Sequence, residues 1–192
     1  MIAKISDRAK KARGFFSKAR ADEYERQARR RGLWQPEQEL IERILRELPP
    51  GSRVLDAPVG TGRFLRVCAE RGLEVTGIDA SPHMVRKAKA RGPKADIRVG
   101  DIFNLDAPDQ AFDLVLSIRF LHLIDDADVP LAWRELSRVA RDRVIVTAYI
   151  PDQHEPRGSH ERLHVLERSL GPWEIASRTR IHGDWYLIDI RR

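Results

Sequence analysis

The sequence predicts an α/β fold in which strands alternate with helices around a mostly parallel sheet. Three short apolar runs end in the acids Asp56, Asp79 and Asp101, and the spacing between these acids is nearly equal. After the first run the chain turns through Gly60 and Gly62 into a helical pattern. Repeated units of strand, turn and helix are typical of a parallel sheet, and the three acids would lie at one edge of it.

The elements of the first half have clear boundary signals. Pro36 in the first turn and the following Pro-Pro-Gly stop predict a helix over residues 35–48. Ser81 followed by Pro82 predicts an N-cap and a first helical residue, and this helix ends at the next Gly-Pro pair. The remaining expectations are strands at 53–56, 74–79 and 97–101 and a helix at about 63–71.

The second half continues the alternation and ends in a hairpin. Residues 112–118 form a nearly continuous apolar run, as expected of a strand buried on both faces of a parallel sheet. A helix at about 129–139, a strand at 143–148 and a helix at about 161–170 follow. The last two β-rich runs, 173–181 and 184–190, are joined by a short turn, which predicts an antiparallel pair.

The loop after the first strand has the composition of a nucleoside-binding turn. Gly60 and Gly62 carry no Cβ, so they can adopt positive φ and let a ligand approach the backbone. Asp79 follows Asp56 at close to the roughly 20-residue offset at which a second-strand acid binds ribose hydroxyls. The glycines alone fit a plain strand-to-helix turn equally well, and the spacing of the acids is what favours a ligand site.

In these segments the chain resembles the class I S-adenosylmethionine (SAM)-dependent methyltransferases. The similarity covers about residues 36–192, and its matching segments are LDAPVGTGRF, GIDASPHMVRKAKAR, VGDIFNLDAPDQAFDLVLS and SIRFLHLI. The resemblance implies a Rossmann-like methyltransferase fold, with a doubly wound, seven-stranded, mostly parallel sheet and an antiparallel terminal strand. The chain departs from the family at Pro58, which stands where the first glycine of the loop is usual and removes an N–H.

The resemblance also implies SAM as the cofactor and assigns residues to it. Asp79 would bind the ribose hydroxyls, Asp101 would lie near the adenine amino group, and Ile102 would lie against the adenine ring. The full set of implied cofactor-binding residues is Asp56, Gly60, Gly62, Asp79, Ala80, Met84, Asp101, Ile102 and Ser117. For Met84, packing under the sheet is an equally good interpretation.

The segment after the fourth strand is expected to meet the acceptor. The candidate substrate residues are Arg119, Phe120 and Tyr149. His122 is a candidate catalytic base because the pKa of histidine lies near neutrality; a histidine that only lines the pocket is the alternative. Arg119 can bind an acidic acceptor in bidentate geometry, and an ion pair with Asp125 or Asp126 is the alternative for this residue.

This segment also narrows the acceptor class. It lacks the Asn/Asp-Pro-Pro-Tyr pattern with which methyltransferases acting on nucleic-acid bases or glutamine hold a planar nitrogen. Its Phe-Leu-His element is similar to that of small-molecule O-, N- and C-methyltransferases. The resemblance therefore implies a SAM-dependent methyltransferase that acts on a small organic acceptor.

Residues 1–34 are predicted to form a basic helical arm or lid, ahead of a SAM-binding methyltransferase domain at residues 35–192. Residues 1–33 hold eleven Lys and Arg against four Asp and Glu, whereas the remainder is nearly neutral. Tyr24 is a second candidate catalytic residue, because an aromatic face attracts a cation and similar small-molecule enzymes often close a lid tyrosine over the sulfonium. The charge of the arm also fits an anionic partner such as RNA.

The composition excludes several other classes. Cys68 is the only cysteine, which rules out an intrachain disulfide, and its apolar surroundings predict a buried thiol in a reducing cytoplasm. No apolar run reaches the roughly 18 residues of a membrane span, and residues 1–7 lack the core of a signal peptide. His154, His160 and His164 lack a supporting acid pattern, so no metal site is expected.

Two alternatives to a small-molecule enzyme stay open. Pro58 and the short segment after the fifth strand fit a SAM-binding regulatory protein without transferase activity. The basic arm fits an RNA- or protein-directed methyltransferase. The acids Asp56, Asp79 and Asp101 favour retained cofactor binding, and the sequence leaves the oligomeric state open.

Overall fold

The computed structural model describes residues 5–14, 26, 34–92, 94–150 and 161–192. Within them the chain forms a seven-stranded sheet with helices packed on both faces. The strands are β1 (Arg53–Asp56), β2 (Glu74–Asp79), β3 (Asp96–Val99), β4 (Leu114–Ser117), β5 (Arg143–Tyr149), β6 (Glu174–His182) and β7 (Trp185–Arg191). The helices are α1 (Asp7–Gly14), α2 (Gln35–Glu47), α3 (Leu65–Glu70), α4 (Pro82–Arg91), α5 (Val129–Val139) and α6 (Glu161–Ser169).

The strands are arranged in the order β3-β2-β1-β4-β5-β7-β6. β1 to β5 run parallel, and β7 runs antiparallel to both β5 and β6. The predicted doubly wound, seven-stranded sheet with an antiparallel terminal strand is therefore confirmed. The order reverses between β1 and β4, and in open α/β sheets the ligand crevice lies outside the carboxyl ends of the strands at such a point.

Alternate residues of the central strands contribute to two hydrophobic cores. Leu114 and Leu116 of β4 belong to one core with residues of α2 and α3, whereas Val115 belongs to the other with residues of α5 and α6. Successive side chains of a strand point to opposite faces, so the continuous apolar run of β4 fills both cores. The packed sheet thereby fixes the positions of the loops at its carboxyl edge.

Element boundaries follow the sequence signals where a cap is present. The Ser81 hydroxyl accepts a hydrogen bond from the backbone of α4 at 3.5 Å, and Pro82 opens this helix as predicted. β3 instead ends at Val99, before Asp101, because Asp101 forms an isolated bridge with Asn104 outside the strand. The prediction that the third strand ends in this acid is wrong for that reason.

Several expectations concern individual residues. Cys68 is 1% exposed, and burial raises the pKa of its thiol to about 12, so the prediction of a buried thiol is confirmed.

None of the described helices is long and apolar enough to cross a membrane. His164 lies 3.0 Å from a carboxylate oxygen of Glu167, while His154 and His160 lie outside the described residues. The cytoplasmic location stays a prediction.

Candidate functional site

A pocket lies at the carboxyl ends of β1, β2 and β4, at the point where the strand order reverses. Of the residues assigned from the sequence, those that line it are Asp56, Gly60, Asp79, Ala80, Met84, Ile102, Arg119 and Phe120. α1 covers one side of the pocket with the buried residues Ala9 and Ala12. The remaining volume is about 120 Å³. A typical ligand pocket holds roughly 300–1,000 Å³, so this one is narrow while α1 covers it.

The two glycines of the loop after β1 have different roles. Gly60 has φ +55, and no atom lies within 4 Å of the position that a Cβ would take, so its backbone faces open space in the pocket. Gly62 has φ +75, and a Cβ there would lie 2.6 Å from a side-chain carbon of Leu65 and 3.1 Å from Ala88 Cα. Gly60 therefore suits a ligand that approaches the backbone, whereas Gly62 allows the loop to pack against α4 and does not line the pocket.

Asp79 ends β2 with its carboxylate held towards the glycine loop. Its Oδ2 accepts a hydrogen bond from Gly60 N at 3.0 Å, and its Oδ1 accepts one from Ser81 N at 2.8 Å. Burial raises the pKa of this carboxyl to about 6, and the two N–H donors oppose the shift. Each carboxylate oxygen keeps a second lone pair, so Asp79 can also accept hydrogen bonds from ribose hydroxyls.

Asp56 ends β1 as a buried acid on the pocket wall. It is 3% exposed, and burial raises its pKa to about 8; the charge of Arg63 opposes this shift and that of Asp79 adds to it. A cationic ligand group beside Asp56 would stabilise the carboxylate and lower the pKa. Asp56 and Asp79 thus give the pocket an acidic region suited to a positively charged nucleoside.

Asp101 contacts the N-terminal arm instead of the pocket. Its Oδ2 accepts a hydrogen bond from Ser6 N at 2.6 Å, and its Oδ1 accepts one from Phe103 N at 2.9 Å. Asp101 is 4% exposed and does not line the pocket, although its neighbours Gly100 and Ile102 do. A backbone N–H of the arm therefore occupies one acceptor site of Asp101, and the expected contact with the adenine amino group stays a prediction.

Ser117 and Met84 are both buried, with different consequences. Ser117 is fully buried and does not line the pocket, so its contact with the cofactor stays a prediction. Its side chain is enclosed within the packed sheet, and its Oγ has no hydrogen-bond partner among the described residues. Met84 is 4% exposed and still reaches the pocket wall, so it both packs in the core and is available to a ligand.

A buried charge network stands beside the pocket and was missed in the sequence. Glu37 is fully buried in the first turn of α2. Its Oε1 accepts a hydrogen bond from Arg63 Nη1 at 2.6 Å, and its Oε2 accepts one from Arg119 Nε at 2.5 Å. The alternative prediction of an ion pair between Arg119 and Asp125 or Asp126 is wrong, because Arg119 forms its ion pair with Glu37.

A sequence signal for this network was present in α2. Glu37 has the same four-residue spacing as Ile41 and Leu45, so its carboxylate lies on the buried stripe of the helix. A charged residue on such a stripe is almost never buried unless it is paired. The partner Arg63 is also held by aromatic rings, since its guanidinium carbon lies 4.6 Å from the ring centroid of Trp34.

A second cavity of about 280 Å³ lies beside the pair of strands β5 and β7. His122 and Tyr149 line this cavity and not the first pocket, and both rings pack on Trp185, at centroid distances of 5.0 and 5.4 Å. Burial, together with the charges of Arg119 and Arg162, lowers the pKa of His122 to about 4. The expectation of a near-neutral base is therefore wrong, and His122 is an uncharged, weak base at pH 7.

The described part of the N-terminal arm is tied to the domain by ion pairs. Arg8 Nε donates to Asp128 Oδ1 at 2.7 Å, and Lys11 Nζ donates to Asp125 Oδ2 at 2.5 Å. These acids follow β4, so the pairs hold α1 next to the pocket that Ala9 and Ala12 line. Tyr24 lies outside the described residues, and its contact with a sulfonium stays a prediction.

The fold and the pocket agree with comparisons to known proteins. A family profile described as a methyltransferase domain matches residues 54–143, which run from β1 to the start of β5 and include the glycine loop and the pocket acids. Over these residues the chain matches the methyltransferase domain family, as the sequence motifs predicted. The resemblance drawn from the sequence motifs is thereby confirmed.

Two curated relatives show how far the similarity of this chain extends. It is 39% identical over 92 residues to malonyl-(acyl-carrier protein) O-methyltransferase of Serratia marcescens, which covers 48% of this chain and 35% of the relative. It is 36% identical over 144 residues to 2-methyl-6-phytyl-1,4-hydroquinone methyltransferase of a Synechocystis strain, which covers 71% of this chain and 44% of the relative. The chain thus spans less than half the length of each of these relatives.

A solved structure shows the same fold over nearly the whole chain. It is the crystal structure of magnesium protoporphyrin IX methyltransferase from Synechocystis PCC 6803 with bound S-adenosylhomocysteine (SAH). The TM-score is 0.75 at 16% identity, and the match covers 97% of this chain and 100% of that one. At this identity the likeness concerns the fold alone.

Proposed function

We propose that this protein is an enzyme that transfers the methyl group of SAM to a small organic acceptor. The observation that carries the proposal is the pocket at the strand ends, where Asp56 and Asp79 lie beside the open backbone of Gly60. The relatives support it, because they are by name methyltransferases of a carrier-bound malonyl group and a hydroquinone.

The residues on the pocket wall fit a nucleoside that carries a cationic sulfur. Asp79 has lone pairs available for ribose hydroxyls, and the buried Asp56 gains a partner when a cation lies beside it. Met84 and Ile102 offer an apolar surface for a purine ring. Gly60 leaves room along the backbone for the ligand to pass.

SAM, when bound, supplies a methyl group that is already activated by the positive charge on sulfur. The contribution of the chain is to hold the acceptor in line with that group, for which orientation is worth on the order of several kcal/mol. The buried Phe120 and Ile118 give the pocket an apolar wall against which an acceptor can pack. Because His122 is a weak base outside this pocket, we propose that an acceptor proton is released to solvent.

We further propose that residues 1–34 act as a lid on a SAM-binding domain formed by residues 35–192. α1 covers the pocket, and two of its basic side chains are paired with acids of the domain. These pairs support a lid over an arm that docks on RNA, because the charges of Arg8 and Lys11 are neutralised by acids of the domain. The N–H of Ser6 on Asp101 and the narrow pocket indicate that α1 must shift to admit the cofactor.

Calorimetric titration with SAM and SAH, followed by transfer from isotopically labelled SAM to a metabolite extract, tests the enzymatic function. Label in a product of low mass is the expected result. Cofactor binding without transfer to any fraction would favour the regulatory alternative. Label in RNA or protein would favour the directed enzyme, and absence of cofactor binding would overturn the proposal.

The lid is tested by removing its ion pairs in the double variant Asp125→Asn, Asp128→Asn. Both the association and the dissociation of SAH should become several-fold faster in stopped-flow measurements, because α1 opens more readily. High salt should bring the wild-type rates towards those of the variant, since exposed ion pairs are screened. Unchanged rates, or RNA binding that is lost on deleting residues 1–31 while SAH affinity is kept, would reject the lid.

A further inference from the structure

Arg119 is held in an unusual backbone conformation at the edge of the cofactor pocket. Its φ is +58, a value that residues other than glycine seldom adopt. Its N–H donates to Thr147 Oγ1 at 2.6 Å, and Thr147 is fully buried in β5. Backbone outliers of this kind persist only when the surrounding structure enforces them, and they cluster at functional sites. The direction of the Arg119 side chain is therefore set by the fold.

The side chain of Arg119 is fixed as firmly as its backbone. Nε donates to Glu37 Oε2, the guanidinium carbon lies 3.8 Å from the ring centroid of Trp185, and Nη2 lies 3.4 Å from His182 Nε2. A guanidinium carries five N–H donors, so this arrangement leaves several of them for a ligand. The side chain is 14% exposed and lines the cofactor pocket. Arg119 thus presents a guanidinium of fixed orientation to a ligand in the cofactor pocket.

Two arginine side chains meet at Glu37. Arg63 and Arg119 both donate to this one carboxylate, which is fully buried, while each arginine side chain is 14% exposed. The two arginines therefore share one carboxylate, and Arg63 also interacts with the charge of Asp56. Arg63 Nε also donates a hydrogen bond to Gln38 Oε1, and its Nη2 donates one to the carbonyl oxygen of Trp34. Arg119 is the better placed of the two to meet an anion.

Trp185 contacts Arg119 and also lines the second cavity. The indole that lies under the guanidinium also lines this cavity of about 280 Å³, together with the rings of Tyr149 and His122. Among the described residues no carboxylate lines the cavity, and its one arginine, Arg162, lies 3.6 Å from Asp126 Oδ1 and donates to the carbonyl of Ile124. Its volume is close to the lower end of the roughly 300–1,000 Å³ found for ligand sites. Aromatic walls beside the guanidinium of Arg119 suit a flat, negatively charged molecule.

We propose that Arg119 selects the acceptor: its guanidinium binds the carboxylate of an aromatic acid whose ring packs among the aromatic side chains of the second cavity. This inference rests on the proposed function, because it names the substrate class of the same site. It gives the sequence candidate Arg119 a defined ligand class and adds the second cavity as a binding space that the sequence motifs do not indicate.

The probe is benzoate, compared with uncharged benzamide, titrated into the SAH-saturated protein and followed by ligand-observed NMR. We expect benzoate to bind at least tenfold more tightly than benzamide to the wild-type protein. The variant Arg119→Gln should lose this preference. The variant Arg119→Gly, which suits the positive φ and relieves the backbone, should lose it as well, so that a folding defect of one variant does not decide the test.

Arg143→Gln is the matched control. Arg143 pairs with the buried Asp189 at 2.9 Å and its side chain is 13% exposed, but it does not line either space. This variant should keep the preference for benzoate. Equal binding of benzoate and benzamide to the wild type, or a preference that survives in both Arg119 variants, would overturn the inference while SAH binding still upholds the proposed function.

The cofactor also has a carboxylate, and the comparison of SAH with 5′-methylthioadenosine, which lacks the amino-acid group, separates the two sources. If Arg119 binds the carboxylate of the acceptor, Arg119→Gln changes the affinities for SAH and 5′-methylthioadenosine by the same factor. A variant that weakens SAH alone, with benzoate binding intact, would assign Arg119 to the cofactor and reject the acceptor role. A wild-type protein that binds no SAH would instead count against the proposed function.

Discussion

The two sides of the site are assembled in different ways. The cofactor side, around Asp56, Gly60 and Asp79, comes from one stretch of chain in which each strand runs directly into its loop. The acceptor side, around Arg119, brings together α2, the segment after β4 and the strands β5 and β7. Glu37 and Arg119 are 82 residues apart in the chain.

This difference has consequences for mutation. A side chain in a contiguous loop can be changed with local effects, because few distant contacts depend on it. A side chain that joins distant elements contributes to folding and to binding at once, because the same contact serves both. We therefore expect changes on the cofactor side to remove binding with the fold intact, and changes on the acceptor side to couple binding with stability.

The largest effect is expected for Glu37→Gln, which leaves two arginines around an uncharged amide. Removing one partner of a buried ion pair costs about 3–5 kcal/mol, so the free energy of unfolding in urea should fall by about that amount. Glu42→Gln on the same helix is the control, because its ion pair is with the exposed Arg46 and should be worth below about 1 kcal/mol. Similar small losses in both variants would mean that the acceptor side does not depend on Glu37.

Gly60→Val tests the cofactor side. Valine resists a φ of +55, and its side chain would project into the open space beside the loop. Calorimetry should show an SAH affinity lowered by at least about a hundredfold, roughly 2.7 kcal/mol, with a native circular dichroism spectrum. Gly171→Val carries similar backbone strain at φ +62 with open space around it, outside the pocket, and should bind SAH normally. Tight binding by Gly60→Val would remove this loop from the site.

Asp79→Ala should have the next largest effect on the same side. Loss of a hydrogen bond to a charged group costs about 1.5–3 kcal/mol, so SAH should bind at least about tenfold more weakly by calorimetry. The control is Asp96→Ala, an exposed acid on the neighbouring strand β3, which should leave the affinity unchanged. An Asp79→Ala variant that binds like wild type would show that the ribose does not meet this carboxylate.

The smallest effects are expected from the ionisation of Asp56. Its folded pKa of about 8 is above the ordinary value of 3.8, so the group stabilises the fold at low pH and that contribution is lost as the pH rises towards 8. Asn cannot ionise. Asp56→Asn should therefore raise the Tm of the ligand-free protein relative to wild type, by more at pH 8.5 than at pH 5.

The same substitution should act in the opposite direction on binding. The wild-type affinity for SAH should increase several-fold from pH 6 to pH 8.5, because the cationic amino group of the ligand is attracted by the carboxylate form of Asp56. In Asp56→Asn this increase should be reduced. A variant that is less stable than wild type at pH 8.5, or one with an unchanged pH dependence of binding, would contradict the role given to this acid.

Local signals were enough for most of the fold. The continuous apolar run of β4, the Ser81 cap of α4 and the short turn between β6 and β7 all lie within a few residues of the elements they predict. Asp56 and Asp79 line the pocket as expected, because each ends a strand whose direction is set by the sheet. Backbone preference and hydrophobic periodicity act over short distances, and a single sequence contains both.

The misplaced residues are those whose surroundings come from elsewhere in the chain. Asp101 is engaged by Ser6 of the arm, and His122 faces the second cavity, where burial and two arginines lower its pKa. Ser117 is enclosed by the sheet. Each lies close in sequence to residues that do line the pocket, so sequence position alone could not separate them.

The sequence by itself determined the α/β order of elements, the glycine loop and the acidic cofactor side, because these depend on neighbouring residues. The tertiary structure decided that Glu37 holds two arginines, that Trp185 lies under Arg119 and that α1 covers the pocket. The physical reason is that charge pairing, burial and the shift of a pKa depend on distances through space, and those distances exist only once strands far apart in the chain lie side by side.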